Sequence, residues 1–203
     1  LDPSSMLSSQ RGSTERGCSQ VTICPPPPPD QLLEHLYIGD CQNAFSREVL
    51  KRLGITHVLN VADDVECPFP GDFKYFHMRI EDGGYDASIV DAFPIAADFV
   101  KAAKDADGKV LIHCAMGLNR SATVAMAVLM QLQDWNLREA YEHVKERRPC
   151  IGPFAGNRQK IASWERDTRS ACSMPVWLAP AALWDVADHE HEDLDELPTA
   201  LLT

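Results

Sequence analysis

Long apolar runs are missing from this 203-residue sequence. Nothing approaches the ~18 apolar residues of a membrane span, and no charged start precedes an apolar leader at the N-terminus. A soluble, unsecreted chain in the cytoplasm or nucleus is the expectation. An excess of basic charge is missing too, since 19 Lys and Arg stand against 30 Asp and Glu, a net charge of −11. No basic stripe of the kind that holds nucleic acid or an anionic membrane is present, so neither is expected as a partner. Residues 173–203 hold seven acids and no base, whereas residues 31–172 are near balance. Internal repeats are absent. Paired cysteine spacings are absent as well: the seven cysteines are odd in number and irregularly placed. That argues against a disulfide framework or a zinc site and for a reducing compartment.

What remains divides into three parts. Residues 1–30 are rich in Ser, Gly and Gln and end in Pro25 to Pro29. They cannot bury enough to fold, and the prolines form a stiff spacer, so this segment is expected to be disordered. Residues 173–203 form an acidic tail expected to be largely disordered, with Trp177, Leu178, Leu183 and Trp184 able to dock as a short helix. Its His189 to Asp193 run reads as solvated charge, because nothing fixes the geometry a metal needs. No metal or cofactor is expected.

Residues 31–172 alternate strands with helices. Leu36 to Ile38, Ile55 to Val61, Phe73 to Ile80 and Val110 to Ile112 read as strands. Helices are expected over Arg47–Leu53 with Gly54 as terminator, from Ser88 as cap, over Ser121–Asp134, after the cap Asn136 to Arg147, and from Gly156 to Thr168. Pro94 predicts a kink or late start in the Ser88 helix. The expected class is α/β, a mostly parallel central sheet flanked by helices, with ligands at the carboxyl ends of the strands.

The most informative stretch is 113–123, His-Cys-Ala-Met-Gly-Leu-Asn-Arg-Ser-Ala-Thr, between an apolar strand and an apolar helix. Cys114 and Arg120 flank one turn whose backbone N–H groups, from Ala115, Met116, Gly117, Leu118 and Asn119, can cradle a phosphate at a helix N-terminus. Gly117 permits the tight backbone. A free thiol titrates near 8.5, and such a setting lowers it into roughly the 3.5–7.5 range, giving a thiolate nucleophile. Arg120 offers a planar fork for two phosphoryl oxygens. Ser121 can donate to the sulfur and make it a better leaving group. His113, facing away from its neighbour, is assigned to holding the loop. A thiolate cannot protonate the departing oxygen, so a general acid is required. Asp82, on a glycine-containing loop that can swing over the pocket, is the first choice, with Asp86 and then Glu81 behind it. Asn119-Arg120-Ser121 matches a glycosylation acceptor but lies inside this loop. Cys41, Cys67 and Cys150 are expected as buried thiols, each a candidate disulfide partner for an oxidised Cys114.

On the strength of these residues, the segment 31–170 resembles the atypical dual-specificity protein phosphatases of the cysteine-dependent superfamily. The likeness runs through Leu36-Tyr37-Ile38-Gly39, Gly54 to Ala62, Ala96-Ala97-Asp98-Phe99, the loop itself, and Arg148-Pro149 through Gln159. It implies the cysteine-dependent phosphatase fold, Cys114 as nucleophile, Arg120 as phosphate binder, Asp82 as acid and Ser121 as helper. Three departures stand out. Asn119 occupies a position often held by Ser, and Gly-Leu-Asn-Arg is similar to the loop of RNA 5′-triphosphatases. Phe154 and Asn157 replace the usual Pro-Asn and post-glycine aromatic. Pro94 is the third. Uncharged Ala115, Met116 and Leu118 argue against phosphoinositides. The resulting expectation is a phosphatase for phosphotyrosine and phosphoserine/phosphothreonine acting through phosphocysteine, with phosphoproteins, signalling kinases among them, as partners. An RNA 5′-triphosphatase-like enzyme and a non-catalytic phosphoprotein-binding scaffold are the alternatives.

Overall fold

The computed structural model describes residues 27–178. Its centre is a five-stranded sheet formed by β1 (Asp30–Leu33), β2 (Leu36–Gly39), β3 (Ile55–Asn60), β4 (Lys74–His77) and β5 (Lys109–His113), in the order β1-β2-β5-β3-β4. β2, β5, β3 and β4 run parallel, and β1 adds as an antiparallel edge. The expected α/β class with a mostly parallel sheet is therefore what forms.

Alternation along the central strands explains the layers. Val110 and Ile112 of β5 pack into the larger core with α3 (Ser88–Asp105), α4 (Arg120–Leu132), α5 (Leu137–Arg147) and α6 (Ala155–Arg169). Leu111, with Tyr37 and Val58, points to the other face, against Ala44 of α1 (Cys41–Phe45) and Leu50 of α2 (Arg47–Arg52). α4 is buried from Arg120 to Met130, which is why its sequence is apolar all round. Among the described residues no helix is long and apolar enough to cross a membrane.

Three local expectations need correction. Ser88 is the first residue of α3 rather than its side-chain cap; the Asp86 carboxylate accepts from the Ser88 N–H at 2.8 Å instead. Pro94 does not delay α3, which begins at Ser88 and carries Pro94 within it at an exposed position. The fourth strand is shorter than Phe73–Ile80, because Phe73 folds back into the smaller core and pairing ends at His77. Past residue 172 the docking expected of Trp177 and Leu178 takes place. A 3₁₀ turn at Pro175–Leu178 buries Met174 and Trp177, and Glu165 accepts from the Ser173 hydroxyl at 2.8 Å. Trp184 and the His189–Asp193 run lie outside the described residues. The short β1 and α1, which no apolar period announces, were not expected.

Candidate active site

β5 delivers His113 and Cys114 at its carboxyl end, and α4 begins at Arg120, so residues 114–119 must turn sharply between them. Gly117 makes this possible with φ +69°, and a Cβ there would strike the Gly39 carbonyl. The carbonyls of the turn are all drawn outward. Ala115 O accepts from Cys41 N–H at 3.1 Å, and Leu118 O accepts from Gly152 N–H at 3.0 Å. Gly117 O takes Arg148 Nε at 2.8 Å, with Arg148 Nη2 3.5 Å from Met116 O. Because each peptide is planar and trans, the next N–H points the other way, toward the Cys114 side. Gly117 N–H donates to Cys114 Sγ at 3.2 Å, as that geometry requires.

Cys114 is 2% exposed, and its Sγ lies 3.3 Å from Ser121 Oγ. Negative charge on the sulfur therefore meets a backbone N–H and a hydroxyl. Arg120 is 1% exposed. Its Nη1 donates to Asp63 at 2.7 Å, Asp64 at 3.1 Å and Ile80 O at 3.0 Å, while its buried Nε has no hydrogen-bond partner among the described residues. A buried, unsatisfied guanidinium N–H beside an inward-turned backbone is a donor suited to an anion's oxygen.

Asp82 Oδ1 lies 3.6 Å from that Nε and accepts from Asn119 Nδ2 at 2.8 Å, so the acid loop is already folded over the cradle. The loop is anchored on its far side by Lys160 Nζ donating to Gly84 O, and by a backbone approach so close that a Cβ on Gly156 would overlap the Gly84 carbonyl. Asp86 is engaged differently. Its carboxylate accepts from Ser88 and from Glu81 N–H, and hydrogen bonding from Ser88 above all holds it below the usual carboxylate range. It precedes the N-cap Ala87, and these two bonds tie it to the start of α3 and to its own loop. Glu81 is exposed.

His113 is wholly buried, and burial pushes its imidazole down to about 4, so it is neutral at physiological pH. Its Nδ1 lies 3.3 Å from Cys114 O, where it can steady the loop. The Asn119 side chain is bonded to Asp82, Phe154 and Asn157. The cysteines depart from expectation. Cys41, Cys67, Cys114, Cys150 and Cys172 are free thiols, but Cys150 is exposed and Cys41 and Cys67 only half-buried.

Sequence reasoning missed Asp63 and Asp64, Arg148 with its 2.6 Å pairing to Asp30, and Asn157. Asp63 and Asp64 lie just beyond the carboxyl end of β3, which was the available signal. Asn60 positions them by donating to Val65 O at 2.6 Å and accepting from Ala62 N–H at 3.1 Å. A cleft of about 760 Å³ between the acid loop and α6 includes Tyr85, Trp164 and Asp167 but no residue of the Cys114 loop.

Comparison with known proteins agrees with this geometry. The family model described as the dual specificity phosphatase catalytic domain matches residues 36–167. Protein phosphatase Slingshot of Drosophila melanogaster is 38% identical over 125 residues, 62% of this chain and 12% of that protein. Dual specificity protein phosphatase 4 of Rattus norvegicus is 40% identical over 146 residues, 70% of this chain and 36% of that protein. The chain thus spans well under half the length of these relatives. The crystal structure of human DUSP28 superposes with a TM-score of 0.67 at 26% identity, covering 71% of this chain and 97% of that one. The family match runs from β2 into α6, over the same elements that build the Cys114 cradle, and the chain belongs to the dual specificity phosphatase catalytic-domain family.

Proposed function

We propose that this chain is a phosphatase for phosphotyrosine and phosphoserine/phosphothreonine in proteins, working through a phosphocysteine intermediate. The observation that carries the reading is the Asp82 carboxylate held beside the Cys114–Arg120 turn, its Oδ1 3.6 Å from Arg120 Nε, an N–H with no hydrogen-bond partner among the described residues. In the first step Cys114 Sγ attacks phosphorus. The bond to the leaving oxygen breaks, and Asp82 supplies the proton that oxygen needs. Arg120 and the inward N–H groups take up the equatorial charge. In the second step Asp82, now a carboxylate, accepts a proton from water as it attacks the phosphocysteine, and the Ser121 hydroxyl receives the departing sulfur.

The roles of Ala115, Met116, Gly117, Leu118 and Asn119 in this reading are those of backbone N–H donors, and His113 steadies them. The RNA 5′-triphosphatase reading drew its support from Asn119, whose side chain is committed to other protein groups. The scaffold reading leaves Ser121, beside the sulfur, and Asp82, beside Arg120, without purpose. The partners are phosphoproteins, signalling kinases among them, met in the cytoplasm or nucleus; residues 31–172 with the docked 173–178 turn form the catalytic unit.

The test is a panel of phosphopeptides, a phosphoaryl ester and triphosphorylated RNA, run beside Cys114→Ser. Release of phosphate from the ester and peptides that vanishes in the variant supports the proposal. Release from RNA alone, or tight peptide binding without turnover, rejects it.

A further inference from the structure

Two of the three places where the sequence departs from its relatives' usual pattern, Asn119 and the 154–157 segment, are bonded to each other. Asn119 Oδ1 accepts from the Phe154 backbone N–H at 2.8 Å and from Asn157 Nδ2 at 2.9 Å. Both amides are buried, 4% exposed for Asn119 and 2% for Asn157. A backbone N–H can only donate, so Phe154 dictates which end of the Asn119 amide it faces. Nδ2 is thereby turned to Asp82 Oδ1, at 2.8 Å. The Thr123 hydroxyl and N–H, at 2.9 and 3.0 Å from Asn119 O, hold the same residue from the helix side.

We propose that Asn119, oriented by Phe154 and Asn157, is a positioning residue that selects which oxygen of Asp82 gives up the proton. The proposal rests on the phosphatase reading above. A donor on Oδ1, with the Arg120 guanidinium beside it, makes Oδ1 the carbonyl oxygen of the protonated carboxyl and leaves the proton on Oδ2. As the bond between Cys114 sulfur and phosphorus forms and the bond to the leaving oxygen breaks, the Oδ2 proton passes to that oxygen. Asp82 becomes a carboxylate whose Oδ1 is still held by Asn119. A serine at 119 is too short to reach Asp82 while keeping the Phe154 N–H, so here the longer amide does both. The two departures are one device, joining the acid loop, the phosphate loop and the start of α6.

The test compares two esters in the purified full chain: an aryl phosphate with a leaving group acidic enough to depart unprotonated, and a phenyl or alkyl phosphate that needs the proton. Asn119→Ser is expected to lower kcat on the second by about 10- to 100-fold, the scale set by a misplaced general acid, and to change the first less than about threefold. Asn157→Ala should show the same selectivity with a smaller loss, and carries the test if Asn119→Ser does not fold. Combining either with Asp82→Ala should add nothing on the demanding ester, because the group being positioned is gone. Equal losses on both esters, or a loss that persists in the Asp82→Ala background, would mean that Asn119 merely holds the loop together and would overturn the inference. Normal activity on both overturns it too. A wild-type chain inactive on both esters defeats the phosphatase reading and this inference with it, whereas an active wild type with unselective variants defeats the inference alone.

Discussion

At the scale of the residue, the sulfur of Cys114 is the point on which the site converges. Ser121 Oγ lies 3.3 Å from it and can donate to the sulfur as it leaves phosphorus, so its removal should slow the second step more than the first. Ser121→Ala is expected to show a burst of released alcohol and then a steady rate lower by about 10- to 100-fold, as loss of one preorganised donor costs. Rapid-quench kinetics on a phosphoaryl ester reads this directly; a variant slowed without a burst contradicts it. Cys114, Arg120 and Ser121 could be singled out in the sequence because their spacing along one strand, loop and helix is local, whereas Asp82, 32 residues before Cys114, was chosen from its glycine-containing loop and from the resemblance. Asp63, Asp64 and Asn157 were not. They reach the loop from 57, 56 and 38 residues away, through folding that no short-range pattern encodes.

At the scale of the element, two neighbouring acids illustrate how the backbone assigns work. Asp82 and Asp86 share a loop and could not be told apart by residue type. Asp86 is consumed by the first turn of α3, where it satisfies the Ser88 N–H, and by the Glu81 N–H. Asp86→Ala should therefore cost about 1 kcal/mol of stability, the usual net worth of a hydrogen bond, and reduce kcat far less than Asp82→Ala, which should lose about 10²-fold or more on esters needing a proton. Thermal melts and steady-state kinetics on both variants decide it, and the reverse order of kinetic effects would return the acid's role to Asp86. The long helices and central strands were readable from apolar period and from signals such as the Asn136–Glu139 capping box, where Asn136 accepts from Glu139 N–H at 3.0 Å. The Ser88 cap was misread because serine is a good cap in general, whereas here the aspartate two residues earlier reaches the exposed N–H first.

At the scale of the whole molecule, burial couples the site to stability. His113 lies under the loop with its imidazole held at about 4 against an ordinary 6.5, chiefly by desolvation. Between those values the unfolded chain binds a proton that the folded chain refuses, so stability is complete above about pH 6.5 and falls as pH drops toward 4. The loss approaches about 3 kcal/mol from this residue. Denaturant melts across that window should show the fall, and His113→Asn should flatten it; an unchanged slope in the variant contradicts the assignment. The folded boundary is also a whole-molecule property. Trp177 meets Tyr141 edge to face at 5.2 Å and is 6% exposed, so Trp177→Ala should destabilise by about 3 kcal/mol or more, read as a lower denaturation midpoint. Sequence alone put the end of the domain near 172 because acidic charge dominates residues 173–203. The apolar residues ahead of that charge, Met174 and Trp177, complete the core over α5 and α6.

The central claim is a covalent one, and trapping tests it most directly. The full chain is mixed with a phosphoaryl ester, quenched in acid within the first turnover, digested, and its peptides are mapped by mass. The account predicts phosphate on the peptide carrying Cys114, more of it in Ser121→Ala and none in Cys114→Ser. Steady phosphate release with an unmodified Cys114, or turnover that survives Cys114→Ser, would contradict it.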